Sequence, residues 1–190
     1  FFPHAPIPVT VAGMSYGRAW FPRRADAMEQ AVYGTYFQNL RDREPVELKE
    51  AARAVRAYVD SLELDWSTLV LGGFSQGAIV TAELCRQSLE DSSLPFPGAV
   101  LLFSGTLIAE SWWSAVADTS NHDRAVPPVF ASHGKADTVL PFSEGRALLD
   151  RFTATGFSVT FHAFEGGHEI PRDVITAAGQ FLRERYSFDS

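Results

Sequence analysis

The residues most able to do chemistry are grouped around one serine, Ser75, in the run G-F-S-Q-G at positions 73–77. The apolar run Leu69–Leu71 precedes it and a helix-like segment, 78–84, follows, which is the strand–turn–helix context of a nucleophile elbow. Because such a turn is tight, we expect it to need a small residue at each flanking glycine. The turn would push the Ser75 hydroxyl out of the sheet and set the Gln76 backbone N–H where an oxyanion forms.

A serine hydroxyl is a weak nucleophile, so it needs a base, and the base needs a carboxylate to orient it. In this context the order along the chain is serine, acid, histidine. His168 follows two glycines on a loop between a strand-like and a helix-like segment, and is the best base by position. Of the other histidines, His4 lies upstream of the serine, His122 lies in a polar stretch, and His162 lies on a polar strand face. His133 ends an apolar run, where we expect it to brace the following turn.

The best candidate acid is Asp137, in a polar turn between an apolar run and a helix predicted to begin near Phe142. Loops at the ends of strands are where such folds carry their chemistry. Three rivals are Asp118 and Asp123, in a polar loop, and Asp150, in mid-helix. The pattern therefore favours a Ser75–Asp137–His168 set.

The elements that must position these residues alternate along the chain. Short apolar runs predict strands, and stretches with helical spacing separate them; a helix is also predicted from Pro45 to about Leu62. This alternation is typical of an α/β fold with a doubly wound, mostly parallel sheet. The predicted strands are 69–74, 99–103, 128–132 and 158–164, and the helices 76–90, 142–155 and 171–185, with a short helix at Arg24–Tyr36 and the end of a strand at Phe1–Pro3.

At this point the chain resembles the phospholipase, carboxylesterase and acyl-protein thioesterase group of α/β-hydrolases. The resemblance implies Ser75 as nucleophile, Asp137 as acid and His168 as base, and cleavage of carboxylic esters or thioesters without a metal or other cofactor. The blocks that carry it occur in family order over nearly the whole chain: Phe2–Pro6 with Pro8–Thr10, Ala19–Phe21, Gly72–Ala78, Phe103–Gly105, His133–Gly134 with Asp137 and Pro141, and Gly167–Ile170.

Two features depart from that family. Relatives often have Trp-Phe-Asp where this chain has Trp20-Phe21-Pro22. They also carry an upstream His-Gly-x-Gly loop that gives the second oxyanion N–H, and no such motif occurs before Ser75 in this sequence. Because the chain starts at Phe1 and its elbow strand would be left with an apolar edge, we expect residues 1–190 to be a single domain that is incomplete at its N-terminus. Two further strands would need roughly 30–60 residues upstream.

Composition limits the kinds of partner. A net charge of −7 argues against nucleic acid or an anionic membrane as the main partner, and we expect a small ester or thioester substrate. One cysteine, Cys85, gives neither an internal disulfide nor a metal cluster, and no apolar stretch is long enough to span a membrane. We expect a cytoplasmic protein, with a homodimer as one option for its assembly.

Five apolar residues are candidates for the substrate pocket: Trp20, Phe21, Leu107, Trp112 and Trp113. With no cluster of basic residues among them, they predict a preference for neutral esters of short-to-medium acyl chains. The adjacent Trp112 and Trp113 have three interpretations: walls of an acyl pocket, a small hydrophobic lid, or ordinary packing.

Three other functions stay open. One is an acyl-protein thioesterase that removes palmitoyl groups, and another is a binding protein that kept the fold without activity. The third is a metal-dependent hydrolase with His133, Asp137 and His168 as ligands, which would leave the elbow without a role.

Overall fold

The first described elements form a small antiparallel hairpin that the sequence did not predict. The structure is a computed structural model that describes residues 1–11, 14–22, 40–119 and 124–186. Strand β1 (Ile7–Val11) pairs with β2 (Met14–Ala19), with Ile7 opposite Ala19. Residues 1–5 lie outside any strand and Phe2 is fully exposed, so the expected strand end at Phe1–Pro3 is wrong. The short helix predicted at residues 24–36 lies outside the described residues.

Four apolar runs form a parallel sheet in which the strands follow one another in space as they do in the chain. All three pairings are parallel, so the prediction of a parallel α/β sheet is confirmed. The strands are β3 (Val70–Phe74), β4 (Ala99–Phe103), β5 (Val129–Gly134) and β6 (Val159–Phe164).

Helices connect these strands and cover both faces of the sheet. The predicted helices are confirmed to within two residues at each end: α1 (Val46–Asp60), α2 (Gln76–Glu90), α4 (Phe142–Ala154) and α5 (Arg172–Arg183). A further helix, α3 (Glu110–Thr119), contains the two adjacent tryptophans. No helix in the described ranges combines the length and apolar character needed to cross a lipid bilayer.

Three apolar clusters hold these layers together. One lies between α1 and α2, a second fills the sheet face under α2 and α4, and a third lies on the opposite face under α5. Cys85 is fully buried in the second cluster, and this burial raises the pKa of its thiol to about 12. The parallel sheet is therefore packed on both faces, as such sheets require.

Strand β3, which leads to the candidate nucleophile, forms one edge of this sheet. It pairs with β4, and within the described part of the chain no strand pairs with its other side. Val70 and Phe74 on β3 are 40% and 37% exposed, which matches the expectation of an apolar edge.

Candidate active site

Ser75 occupies a sharp turn between β3 and α2. Its φ is +54°, a conformation that non-glycine residues rarely adopt and that costs on the order of 1–3 kcal/mol. The turn is held on both sides: the Ser75 N–H donates to Phe103 O at 2.9 Å, and the Ser75 carbonyl accepts from Ala78 N at 3.0 Å. This strained turn presents the hydroxyl at the carboxyl end of the strand, as an elbow does.

The two glycines of the motif have different reasons to be glycine. A Cβ on Gly73 would lie 2.6 Å from Ala78 N and closer still to the Gly77 carbonyl group, so the backbone permits no side chain there. A Cβ on Gly77 would meet only Trp20 Nε1, at 3.9 Å. Close backbone contact therefore requires glycine at position 73, whereas position 77 has room for the Cβ of an alanine.

This difference predicts opposite outcomes for two alanine substitutions. Gly73→Ala should destabilise the protein by about 1–3 kcal/mol, because the backbone of the elbow must move, and should remove most activity. Gly77→Ala should leave stability unchanged or raise it by up to about 1 kcal/mol, since its backbone conformation suits alanine. Thermal unfolding and esterase assays of both variants make the measurement, and equal losses in the two would contradict this account of the turn.

The structure brings the three predicted triad residues into one hydrogen-bonded relay. The Ser75 hydroxyl lies 2.8 Å from His168 Nε2, and His168 Nδ1 lies 2.7 Å from Asp137 Oδ2. Because a carboxylate only accepts, Nδ1 carries the proton and donates it to Asp137, which leaves Nε2 free to accept from serine. This tautomer is the one that a general base for the serine requires.

The Asp137 carboxylate is buried and its second oxygen is also satisfied. Oδ1 accepts two backbone hydrogen bonds, from Val139 N and Leu140 N, both at 2.8 Å. The side chain itself has no exposed surface, so these donors replace its water. The carboxylate therefore has one fixed orientation, with Oδ2 toward His168.

The loops that carry the acid and the histidine are joined through their backbones. Lys135 N donates to Phe164 O and Ala136 N donates to Gly166 O, each at 2.9 Å. A Cβ on Gly134 would lie 2.9 Å from the Gly166 carbonyl carbon and closer still to two carbonyl oxygens. Glycine at this position lets the loops cross at the distance that the Asp137–His168 bond needs.

Phe74 and the side chain of Gln76 take part in the site, although the sequence analysis assigned them no such role. The Phe74 ring lies against the His168 imidazole, with 4.7 Å between the ring centroids. Gln76 Oε1 accepts from Trp20 N at 2.7 Å, and Gln76 Nε2 donates to Phe21 O at 3.0 Å. Both residues flank the serine in the motif, and this position next to Ser75 was the sequence feature that could have indicated their roles.

The backbone N–H of Gln76 is well placed to act on a developing negative charge. Gln76 is the first residue of α2, and the first N–H groups of a helix have no acceptor within it. They also lie at the positive end of the helix dipole. The arrangement can therefore donate to an oxyanion formed on a carbonyl attacked by Ser75.

The five predicted pocket residues separate into two groups. Trp20 is half-buried, with its indole nitrogen beside Gly77, and so lies next to the elbow. Phe21 and Leu107 are buried in apolar clusters, and Trp113 packs in the core against Phe152, with 5.0 Å between the ring centroids. Trp112 lies beneath Lys49, and a hydrogen bond from it helps to hold the pKa of Glu44 below its ordinary value, after a larger contribution from Ser111.

These positions correct the predicted pocket. The side chains of Phe21, Leu107 and Trp113 offer almost no surface to a substrate, because each serves the packing between helices or between helix and sheet. Of the three interpretations of the tryptophan pair, ordinary packing fits Trp113, which lies in the core. Trp112 instead contacts Lys49 and Glu44. Trp20 remains partly exposed and lies beside Gly77 of the elbow.

The other histidines and aspartates considered as base or acid lie elsewhere in the structure or outside its described residues. His162 pairs with Asp173 at the surface, His4 is exposed, and Asp150 is exposed on α4. His122 and Asp123 lie outside the described residues, and Asp118 falls within α3. His133 lies buried beside Asp137 with Nε2 bonded to Leu140 O, and within the described ranges no group of three potential ligands is arranged to hold a metal ion.

The chain is similar to known proteins over nearly its whole length. A family model described as phospholipase/carboxylesterase matches residues 1–185. Acyl-protein thioesterase 1 of Debaryomyces hansenii is 26% identical over 190 residues, covering 95% of this chain and 73% of the relative. Acyl-protein thioesterase 1 of Eremothecium gossypii is 29% identical over 189 residues, covering 96% and 72%. The crystal structure of Arabidopsis thaliana SOBER1 shares the fold, with a TM-score of 0.72 and 21% identity over 97% of this chain and 82% of that chain.

Proposed function

Because the chain belongs to the phospholipase/carboxylesterase family of hydrolases, we propose that it cleaves carboxylic esters with Ser75 as nucleophile, His168 as base and Asp137 as orienting acid. The observation that carries this proposal is the relay of two hydrogen bonds, 2.8 Å and 2.7 Å long, that joins the three side chains. The strained turn at Ser75 supports it, since backbone strain of this kind clusters at active sites.

The proposed reaction has two halves. His168 Nε2 takes the Ser75 proton as the serine oxygen attacks the ester carbonyl, and the Gln76 N–H donates to the oxyanion. His168 then gives that proton to the leaving alcohol, which departs and leaves an acyl-enzyme on Ser75. Water attacks the acyl-enzyme in the same way, releases the carboxylic acid and restores the serine hydroxyl. Asp137 holds the imidazole and stabilises its cation throughout.

For the substrate, we propose neutral esters with short-to-medium acyl chains. Described side chains with exposed apolar surface near the triad include Phe74, against the His168 ring, and Val139, beside Asp137. Lys135, on the acid loop, is paired with Glu165 and so adds no free cation for an anionic substrate. Exposed apolar surface beside the triad, together with an acid loop whose lysine is already paired, supports an uncharged acyl chain.

A second candidate is the hydrolysis of acyl thioesters on proteins. It is favoured by the names of two relatives that match nearly the whole chain, both called acyl-protein thioesterase 1. The same serine, base and acid would serve, because a thioester carbonyl is attacked in the same way with a thiol as the leaving group.

A combined labelling and substrate test distinguishes these functions. We expect a fluorophosphonate probe to label the wild-type protein and not Ser75→Ala, and nitrophenyl acetate and butyrate to be cleaved faster than a palmitoylated peptide. Faster cleavage of the peptide would assign the thioesterase function instead. Absence of labelling would favour a binding protein, and loss of activity with a strong chelator would favour a metal-dependent hydrolase.

A further inference from the structure

A second histidine lies directly behind the catalytic acid. His133, near the end of β5, is 2% exposed, and its Nε2 lies 2.8 Å from Leu140 O and 3.3 Å from Asp137 Oδ2. Both neighbours are hydrogen-bond acceptors, so Nε2 carries the proton. Asp137 Oδ2 thus has an imidazole N–H on each side, that of His168 in front and that of His133 behind.

Leu140 connects this histidine to the other oxygen of the carboxylate. Its backbone N–H donates to Asp137 Oδ1 at 2.8 Å, while its carbonyl accepts from His133 at 2.8 Å. One residue is therefore fixed from both sides, and the turn 137–140 is closed around the acid. Any shift of Leu140 would change the direction in which Asp137 Oδ2 points.

The surrounding helix is built to admit the His133 ring. A Cβ on Gly145 of α4 would lie 2.7 Å from His133 Cε1 and closer still to Nδ1, so glycine is needed inside this helix for the ring to fit. Phe142 packs edge-on against the same ring, with 5.9 Å between centroids. A buried polar ring such as His133 and a glycine inside a helix such as Gly145 are both unusual in a protein core, and here both occur where the ring packs against the helix.

From these contacts we propose that His133 is a positioning residue for the triad. It holds the turn 137–140, and through it the Asp137 carboxylate, in the orientation that binds His168. The proposal rests on the proposed function, since it gives His133 a role in the turnover of the Ser75–His168–Asp137 relay. A misplacement of about 1 Å in such a relay can cost about 100-fold in rate.

Two kinds of substitution test the role of the donor. Glutamine can place an amide N–H near the position of His133 Nε2, whereas methionine has similar reach with no donor, and asparagine is too short. We expect His133→Met and His133→Asn to lower kcat by about 10–100-fold with little change in KM, and His133→Gln to restore activity to within about fivefold of wild type. His162→Gln, on the neighbouring strand and paired with Asp173 at the surface, is the matched control and should be unchanged.

A double-mutant cycle with Asp137→Asn decides whether His133 acts through the acid. If it does, His133→Met should add less than about a twofold loss in the Asp137→Asn background. Full multiplication of the two losses in kcat would overturn the proposal. The proposal would also be overturned if circular dichroism showed that both His133→Met and His133→Asn fail to fold, because His133 would then serve the fold alone. An Asp137→Asn variant with wild-type activity would contradict the proposed function itself and is thereby distinguishable.

Discussion

Replacing Ser75 with alanine is expected to lower kcat for ester hydrolysis by about 10⁴–10⁶-fold, because it removes the oxygen that forms the acyl-enzyme in the proposed mechanism. The substitution should leave the fold intact, since Ser75 is held in its turn by its backbone N–H and carbonyl. Alanine also relieves none of the strain at a φ of +54°, so the unfolding temperature should stay close to that of wild type. Steady-state kinetics on a nitrophenyl ester and a thermal melt make the measurement.

His168→Ala provides the partner measurement. In the proposed mechanism the serine and the histidine act as one unit, so removing both should cost little more than removing either alone. The two losses would multiply if the residues contributed independently. Turnover above about a tenth of wild type in Ser75→Ala would show that another residue is the nucleophile.

Asp137→Asn is expected to lower kcat by about 10⁴-fold while preserving the fold. Two backbone N–H groups point at Oδ1, so the asparagine side chain must place its amide oxygen there and its NH₂ group toward His168. His168 must then accept at Nδ1 and carry its proton on Nε2. In that tautomer it can no longer accept the proton of Ser75.

The control for this variant is Asp150→Asn, an exposed position on α4 where substitutions of this kind change stability by less than about 0.5 kcal/mol. It should have wild-type kinetics. Wild-type activity in both Asp137→Asn and Asp150→Asn would remove Asp137 from the mechanism and leave Asp118 and Asp123 as the rival carboxylates.

The four strands of the parallel sheet, the helices α1, α2, α4 and α5, and the meeting of three distant side chains followed from the sequence for physical reasons. Buried parallel strands are continuous apolar runs, and the helices between them show their own spacing. Ser75, Asp137 and His168 each come just after such a run, and parallel strands bring their carboxyl ends to one edge of the sheet.

Other features depend on contacts that a linear pattern does not contain. Adjacent residues on a helix point about 100° apart, so Trp113 enters the core while Trp112 turns toward Lys49, and composition alone cannot choose between them. Strand β1 contains Pro8 and β2 contains Gly17, and both residue types are depleted in strands, so these segments do not indicate strands on composition. The need for glycine at Gly73 and not at Gly77 arises only from the closeness of two backbone segments.

The reactivity of the buried Cys85 thiol reports motions of α2, the helix that follows Ser75. Thiol reagents attack the thiolate, and a pKa of about 12 with no exposed surface makes the native cysteine unreactive. Labelling must therefore wait until α2 separates from the sheet, so its rate under native conditions reports the free energy of that local opening. The same cysteine then measures how far acylation of Ser75, ten residues away on the same strand–turn–helix unit, slows the opening.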